Sequence, residues 1–191
     1  LLSVARLVIV AGRGDIGQQL ALLSAPKEIA APAAAIPAMI APTPTMPELE
    51  FFNGTGGFAE KGREYVTVLR DGQTTPAPWL NVIANPSFGF QVSAEGSGHV
   101  WSENSKENQI TPWSNDPVTD PAGEAIYLHD LETNQKWTAT ALPIRGRGTY
   151  IARHGFGYST FAHDVNGIAA SMVQFVPLDA PVKISRLTLR N

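Results

Sequence analysis

His163-Asp-Val-Asn-Gly-Ile-Ala-Ala170 decides the fold. Asn166-Gly167 is the pair that a type I′ turn wants at its two central positions, where both residues take positive φ. On either side lie runs that read as strands, Tyr158–His163 and Gly167–Val176. Working outward, the same texture repeats. Glu64–Arg70, Asn81–Ala84, Phe88–Ser93, His99–Trp101, Ala125–His129, Lys136–Thr140, Thr149–Arg153 and Val182–Leu189 are rich in β-branched and aromatic residues. Turn signals separate them: Asp71-Gly72, Glu95-Gly96 and Glu132-Thr133-Asn134. In VKISRLTL, Val182, Ile184, Leu187 and Leu189 stand near two-fold spacing with one slip at Ser185–Arg186. Short strands at this spacing, with no helical pattern between them, predict an antiparallel β-sandwich from about residue 49 onward.

Upstream the character differs. Residues 1–24 are apolar and read as either helical or strand-turn-helix, taken here as a connecting helical segment. Residues 25–48, APKEIAAPAAAIPAMIAPTPTMPE, carry recurrent prolines that forbid a continuous helix or a central strand, so they read as an extended linker. Gly12, Gly14 and Gly17 match the spacing of a dinucleotide fingerprint. Its required sequel, a second strand ending in an acid, is replaced by the Ala/Pro stretch. A connecting helix with a glycine break fits better, and no cofactor is expected.

Composition narrows the function. The chain has 191 residues, a net charge of −3 and no cysteine. With no basic block, phosphate neutralisation cannot drive nucleic-acid binding. Without cysteine there is no disulfide framework and no thiolate metal site. The lack of cysteine is compatible with the cytoplasm. The apolar run at the start is too short to cross a bilayer and contains Arg6. His99, His129, His154 and His163 show no metal-ligand spacing, and no nucleophile elbow is present.

The run from Asn104 to Asp130, NSKENQITPWSNDPVTDPAGEAIYLHD, has neither helical nor strand periodicity. It crowds amides, carboxylates and an indole into one polar loop, and such loops carry contacts. Amides and carboxylates suit hydroxyls, and an indole offers a flat apolar face, so the pattern points to a sugar. Asp116, Asp120 and Glu124 sit four apart, but Pro117 and Pro121 prevent a shared helix face. Carboxylates in such turns mostly cap backbone amides. Trp79 and Trp137 read as core. Trp101 and Trp113 flank the loop and are the better candidates for a sugar platform.

Four blocks carry a family resemblance: FFNGTGGFAEKGREYV; TPAPWLNVIANPSFGFQVSAEGSGHVWSENSKENQITPWSNDPVTDPAGEAIYL; PIRGRGTYIARHGFGYSTF; and FVPLDAPVKISRLTLRN. In order, they resemble the start of the phosphorylase-like module of cyclic β-1,2-glucan synthases, which groups with the cellobiose and chitobiose phosphorylases. Lys61 departs from the acid usual before Gly62-Arg63-Glu64-Tyr65. The resemblance implies a large β-sandwich of the galactose-mutarotase-like, super-sandwich type, continuing past Asn191 and therefore truncated here. It implies a helical linker and an (α/α)6 barrel in the parent, the barrel carrying the catalytic aspartate and a site for inorganic phosphate as co-substrate. On that basis this stretch holds no catalytic residue and supplies a wall beside the cleft. Its expected partners are a β-glucan oligosaccharide, the barrel and a second subunit. A cytoplasmic-face location is expected, with an inner-membrane parent. The residues expected to face sugar or barrel are Trp101, Ser102, Asn104, Asn108, Trp113, Asn115 and Asp116. A free-standing carbohydrate-binding module and a purely structural docking domain are the competing readings.

Overall fold

The computed structural model describes residues 46–114, 116 and 118–191, together with Asp15 and Gln18. The chain divides into two units, Leu1–Ala38 and Met39–Asn191. In the first, Asp15 and Gln18 exchange two bonds: Gln18 N donates to Asp15 Oδ1 at 2.8 Å and Asp15 N to Gln18 Oε1 at 3.1 Å. That is the reciprocal pairing of a capping box. The rest of the expected helical segment, and the Ala/Pro stretch up to residue 45, lie outside the described residues.

The second unit is antiparallel β-structure. Its strands are β1 Gly56–Ala59, β2 Glu64–Leu69, β3 Leu80–Asn85, β4 Phe88–Ser93, β5 Gly98–Ser102, β6 Tyr127–His129, β7 Lys136–Thr138, β8 Tyr150–Gly155, β9 Tyr158–Val165, β10 Ile168–Phe175 and β11 Ile184–Arg190. They form a six-stranded sheet ordered β1-β2-β8-β9-β10-β11, a three-stranded sheet β3-β4-β5 and a hairpin β6-β7. After residue 49, the helical structure among the described residues is one 3-10 turn, Glu60–Gly62. The Asn-Gly reading holds: Val165 pairs with Ile168, and Asn166 and Gly167 have φ of 53° and 79°. The slip expected in VKISRLTL does not occur. Strand β11 pairs continuously with β10 from Ile184 opposite Phe175 to Arg190 opposite Ala169. Leu187 therefore points to the core, while Ile184 lies on the other face.

The register explains the core. Thr67, Ala152, Phe161, Met172 and Leu187 make one row across the large sheet. They meet Ile83, Phe90 and Val100, a row across the small one. Phe90 is fully buried, and Ile83, Phe161 and Met172 nearly so. The neighbouring row, Tyr65, His154, Ser159, Gln174 and Ser185, is polar and internally bonded. His154 Nδ1 pairs with Ser159 Oγ at 2.8 Å, and Gln174 Nε2 donates to Ser185 Oγ at 3.1 Å. Asn81 of β3 reaches into this row and donates to Gly155 O at 3.0 Å and Tyr158 O at 2.9 Å. The side-chain amide thus ties the edge of the small sheet to the β8–β9 hairpin. Trp137 is buried and Trp79 packs on the core, as expected of both.

Candidate functional site

Side chains alternate across a strand, so burying Phe88, Phe90 and Val92 turns Gly89, Gln91 and Ser93 outward. The outer face of the small sheet then carries Leu80, Val82, Gln91, His99 and Trp101. Trp101 sits opposite Gly89 in the ladder. A Cβ at Gly89 would lie 2.6 Å from Trp101 Cζ2, so only glycine leaves room for the indole to lie on the strand. Half-buried there, Trp101 is committed to its own sheet.

His99 ties the long loop to that face. It is 2% exposed, and its ring centroid lies 5.4 Å from Trp101 and 5.3 Å from Trp113, the latter ring stacked at 16°. Its nitrogens each lie 3.2 Å from a loop carbonyl, Nδ1 from Thr111 and Nε2 from Ser105. Ile110 N donates to Val100 O, and Val100 N to Thr111 Oγ1. Asn104 Oδ1 accepts from Lys106 N and Glu107 N, both at 2.9 Å, so its side chain closes its own turn. Ser102 N donates to Asn108 O. Asn104 and Asn108 are exposed.

Beyond His99 the loop opens a cleft of about 210 Å³. Trp113, 43% exposed, and Asp116 line it beside Leu80, Gln91 and Asp120. Two of the expected residues therefore meet here. Trp101, Ser102, Asn104 and Asn108 do not line the cleft, and Asn115 lies outside the described residues. Asp116 Oδ1 accepts from Val118 N at 2.8 Å and Thr119 N at 3.0 Å. Those bonds hold its carboxyl below the usual range, Val118's most of all. Burial pushes Asp120 up, with Glu95's charge adding to it, against the pull of the nearby Ser93 and Ser97 hydroxyls. Neither hydroxyl reaches bonding geometry: Asp120 Oδ2 is buried without a hydrogen-bond partner. Ser97 Oγ donates to Pro121 O instead. Glu124 turns away and pairs with Lys183. The three carboxylates thus do three separate things. Gln91 had no signal in the sequence beyond strand alternation.

A second polar cluster lies across the sheet. Glu64 accepts from Arg153 Nη1 at 3.0 Å and Tyr158 Oη at 2.5 Å. The Glu64 carboxylate raises the Tyr158 hydroxyl's pKa, burial adding to it. Every charge in it is met. Among the described residues, no cluster of His, Cys, Asp or Glu could hold a metal ion, and no helix is long and apolar enough to cross a membrane.

Residues 63–191 match the family described as glycosyl hydrolase 94, supersandwich domain. The chain belongs to this family. The supersandwich is similar to cyclic beta-(1,2)-glucan synthase NdvB of Rhizobium meliloti (strain 1021), 46% identical over 145 residues, which is 75% of this chain and 5% of that protein. It is 31% identical over 139 residues to N,N'-diacetylchitobiose phosphorylase of Vibrio furnissii, covering 71% of the chain and 17% of the relative. Against solabiose phosphorylase of Paenibacillus borealis the identity is 32% over 141 residues, 72% of the chain and 18% of the relative. The chain therefore spans less than a fifth of each of these relatives. They are enzymes that make glucan or phosphorolyse glycosides, and the supersandwich is the part of them matched here.

Proposed function

We propose that this supersandwich is a non-catalytic carbohydrate-binding part of a larger enzyme acting on β-glucans, of the cyclic β-1,2-glucan synthase or glycoside phosphorylase kind. In such a parent the barrel would hold the catalytic aspartate and the phosphate, and this domain would present glucan beside it. One observation carries the reading: the outer cleft combines an exposed indole, Trp113, with hydroxyl-matching groups, Gln91, Asp116 and Asp120. An apolar ring face edged by a few polar groups is how small-molecule sites orient a ligand. Trp101, Ser102, Asn104, Asn108 and Asn115 would then support the loop or meet sugar further along its rim.

Docking onto the barrel is the second reading. Leu80 and Val82 favour it, being 48% and 60% exposed on the outer face of edge strand β3. Kinetics of the parent enzyme with β-1,2-glucan separate the two. Under the first, Trp113→Ala raises the glucan KM of the folded enzyme about tenfold. Under the second, Val82→Asp lowers the melting temperature and the folded fraction keeps its KM. A Trp113→Ala enzyme with unchanged KM, kcat and glucan affinity would refute the carbohydrate reading.

A further inference from the structure

An outer strand of a sheet leaves a row of backbone N–H and C=O groups that another chain can pair with. Most such edges of this fold are closed or guarded. Beside β1, Glu50 bridges to Phe58. Beside β5, Gln109 bridges to Trp101, and Ile110 N donates to Val100 O. Strand β11 carries Arg186 and Arg190, both exposed, and charge on an edge deters pairing. The β6–β7 hairpin has strands of three residues, too short to template another. Strand β3 is the exception. Its six residues, LNVIAN, include no charge and no proline, and no residue from Gly72 to Ala94 is charged. Leu80, Val82 and Ala84 are exposed along it. We infer that β3 is a self-pairing edge: two copies of this chain join antiparallel along it, about a two-fold axis at Val82, into one sheet continuous across both.

The ladder to β4 sets the register. Ala94 N donates to Trp79 O, which makes those two a hydrogen-bonded pair, and such pairs alternate along an antiparallel ladder. Leu80 lies opposite Ser93 and Val82 opposite Gln91. The N–H and C=O of Asn81 and Ile83 therefore turn to β4, and those of Leu80, Val82 and Ala84 turn to the free edge. Among the described residues no other backbone group meets them. A second β3 placed with Val82 opposite Val82 sets Leu80 opposite Ala84 and Ala84 opposite Leu80. All of these pairs are then of the hydrogen-bonded kind, each exchanging two bonds. Moving the axis to Ile83 sets Leu80 against Pro86, and moving it to Asn81 sets Ala84 against Pro78. Neither proline has an N–H to give. A two-fold axis through the sheet keeps the outer faces together, so Val82 packs on Val82 and Leu80 on Ala84. The strand is uncharged, so no like charges are brought opposite one another. A helical partner would cover these side chains, but its backbone is bonded within the helix and leaves the edge unmet.

The test uses the whole chain. It has no cysteine, so a single introduced thiol reports the register without interference. Facing Val82 residues would have Cα atoms about 5.5 Å apart, within disulfide reach. The two copies of Ala84 would lie roughly 14 Å apart, beyond it. Mild oxidation should therefore link the Val82→Cys chain into dimers and leave the Ala84→Cys chain unlinked. Sedimentation of the unmodified chain should show a reversible monomer–dimer equilibrium. Val82→Lys sets two ammonium groups opposite one another and should weaken that equilibrium at least about tenfold. Val82 is 60% exposed, so circular dichroism should show the fold unchanged. Should the Val82→Lys chain fail to fold, the two thiol variants decide alone. A chain that stays monomeric at every concentration, or a dimer indifferent to Val82→Lys, would overturn the inference. So would an Ala84→Cys chain that links as readily as Val82→Cys. A monomer whose Leu80, Val82 and Ala84 amides resist hydrogen exchange would overturn it too, by showing that another segment holds this edge.

Discussion

Lys183 is a cation in the wrong place, and replacing it tests how the cleft is held. It precedes β11 on the core side, with 9% of its side chain exposed and its ammonium 4.5 Å from the centre of the Phe90 ring. Burial pushes its pKa down from 10.5 to about 8. At 1.36 kcal/mol per pH unit, that gap corresponds to about 3 kcal/mol against the charged form. Glu124 touches the ammonium and the Phe90 ring attracts it, so about 3 kcal/mol is a ceiling. The sign follows from proton binding. Between about pH 8 and 10.5 the unfolded chain holds the Lys183 proton and the folded chain releases it, so this residue makes stability rise with pH through that window. Below pH 8 the full cost is present.

Lys183→Met keeps the apolar stem and removes the charge. Glu124, left behind, is 38% exposed and can rehydrate. The variant should therefore be more stable than the parent chain at pH 7 by about 1–3 kcal/mol, within the range seen when buried ion pairs are replaced by apolar groups. The difference should shrink toward zero by about pH 10.5. Urea unfolding at pH 7, 8, 9 and 10.5 measures it through the midpoint at constant slope. Tyr150 and Tyr158 also titrate at the upper end. Their pKa values are raised, the first by burial and the second by Glu64, so they make stability fall with rising pH. Subtracting the two chains cancels them. Glu124→Gln should go the other way, costing about 3 kcal/mol or more at pH 7. A Lys183→Met chain that loses stability at pH 7, by an amount independent of pH, would refute the argument.

Other expectations are simpler. Gly89→Ala should cost about 1–3 kcal/mol by forcing Trp101 off the strand, seen as a lower melting temperature and altered indole fluorescence. Asn81→Ala should cost about 2 kcal/mol or more, because the Gly155 and Tyr158 carbonyls lose their donor, and hydrogen exchange should rise first at the β8–β9 hairpin. His154 and His163 have pKa values lowered chiefly by burial, so the stability they contribute is present above pH 6.5 and is lost as pH falls below it. The His154→Gln, His163→Gln double variant should flatten acid unfolding between pH 6.5 and 5, measured against the parent chain by circular dichroism.

Strands were legible wherever turn chemistry framed them. Phe88–Ser93 matches β4 residue for residue, and Asn166-Gly167 sets the β9–β10 register. The misses have physical causes. Strand β1 was invisible because Gly56-Gly57 carries no side-chain pattern. The glycines are needed there, since a Cβ at Gly56 would come 2.7 Å from Val66 O. Ala125–His129 and Lys136–Thr140 shrink to three-residue strands, pairing only with each other. The slip in VKISRLTL was inferred from hydrophobicity, but β11 is an edge strand. With Leu189 half exposed, no core demanded a strict pattern. In the site, Trp101 and Trp113 looked equivalent from either side of the loop. What distinguishes them is Gly89, twelve residues from Trp101 in sequence yet directly beneath its ring.

The loop from Glu103 to Glu124 is polar, yet it is held almost everywhere by bonds it makes itself or to β5. His99 faces two of its carbonyls, Thr111 Oγ1 caps Val100 N, Asn104 and Asp116 close their own turns, and Ser97 holds Pro121. At its end Glu124 fastens it to Lys183. Most of these polar groups are spent on architecture, Asp116 through Oδ1 alone, which answers why so many amides and carboxylates crowd one segment. The exception is Trp113, whose exposed face lines the cleft on a wall fixed at both ends. A ligand entering there need not order the loop, so little of its binding energy is lost to immobilising the protein. If Glu124→Gln loosens that wall, β-1,2-glucan affinity should fall even though Glu124 itself does not line the cleft. Lys183→Met in the same chain should restore stability, because no buried ammonium is left without its counter-charge, but not the affinity, because the latch is still missing. A Glu124→Gln chain that keeps its glucan affinity, with its fold intact, would mean that the loop's position does not depend on this latch.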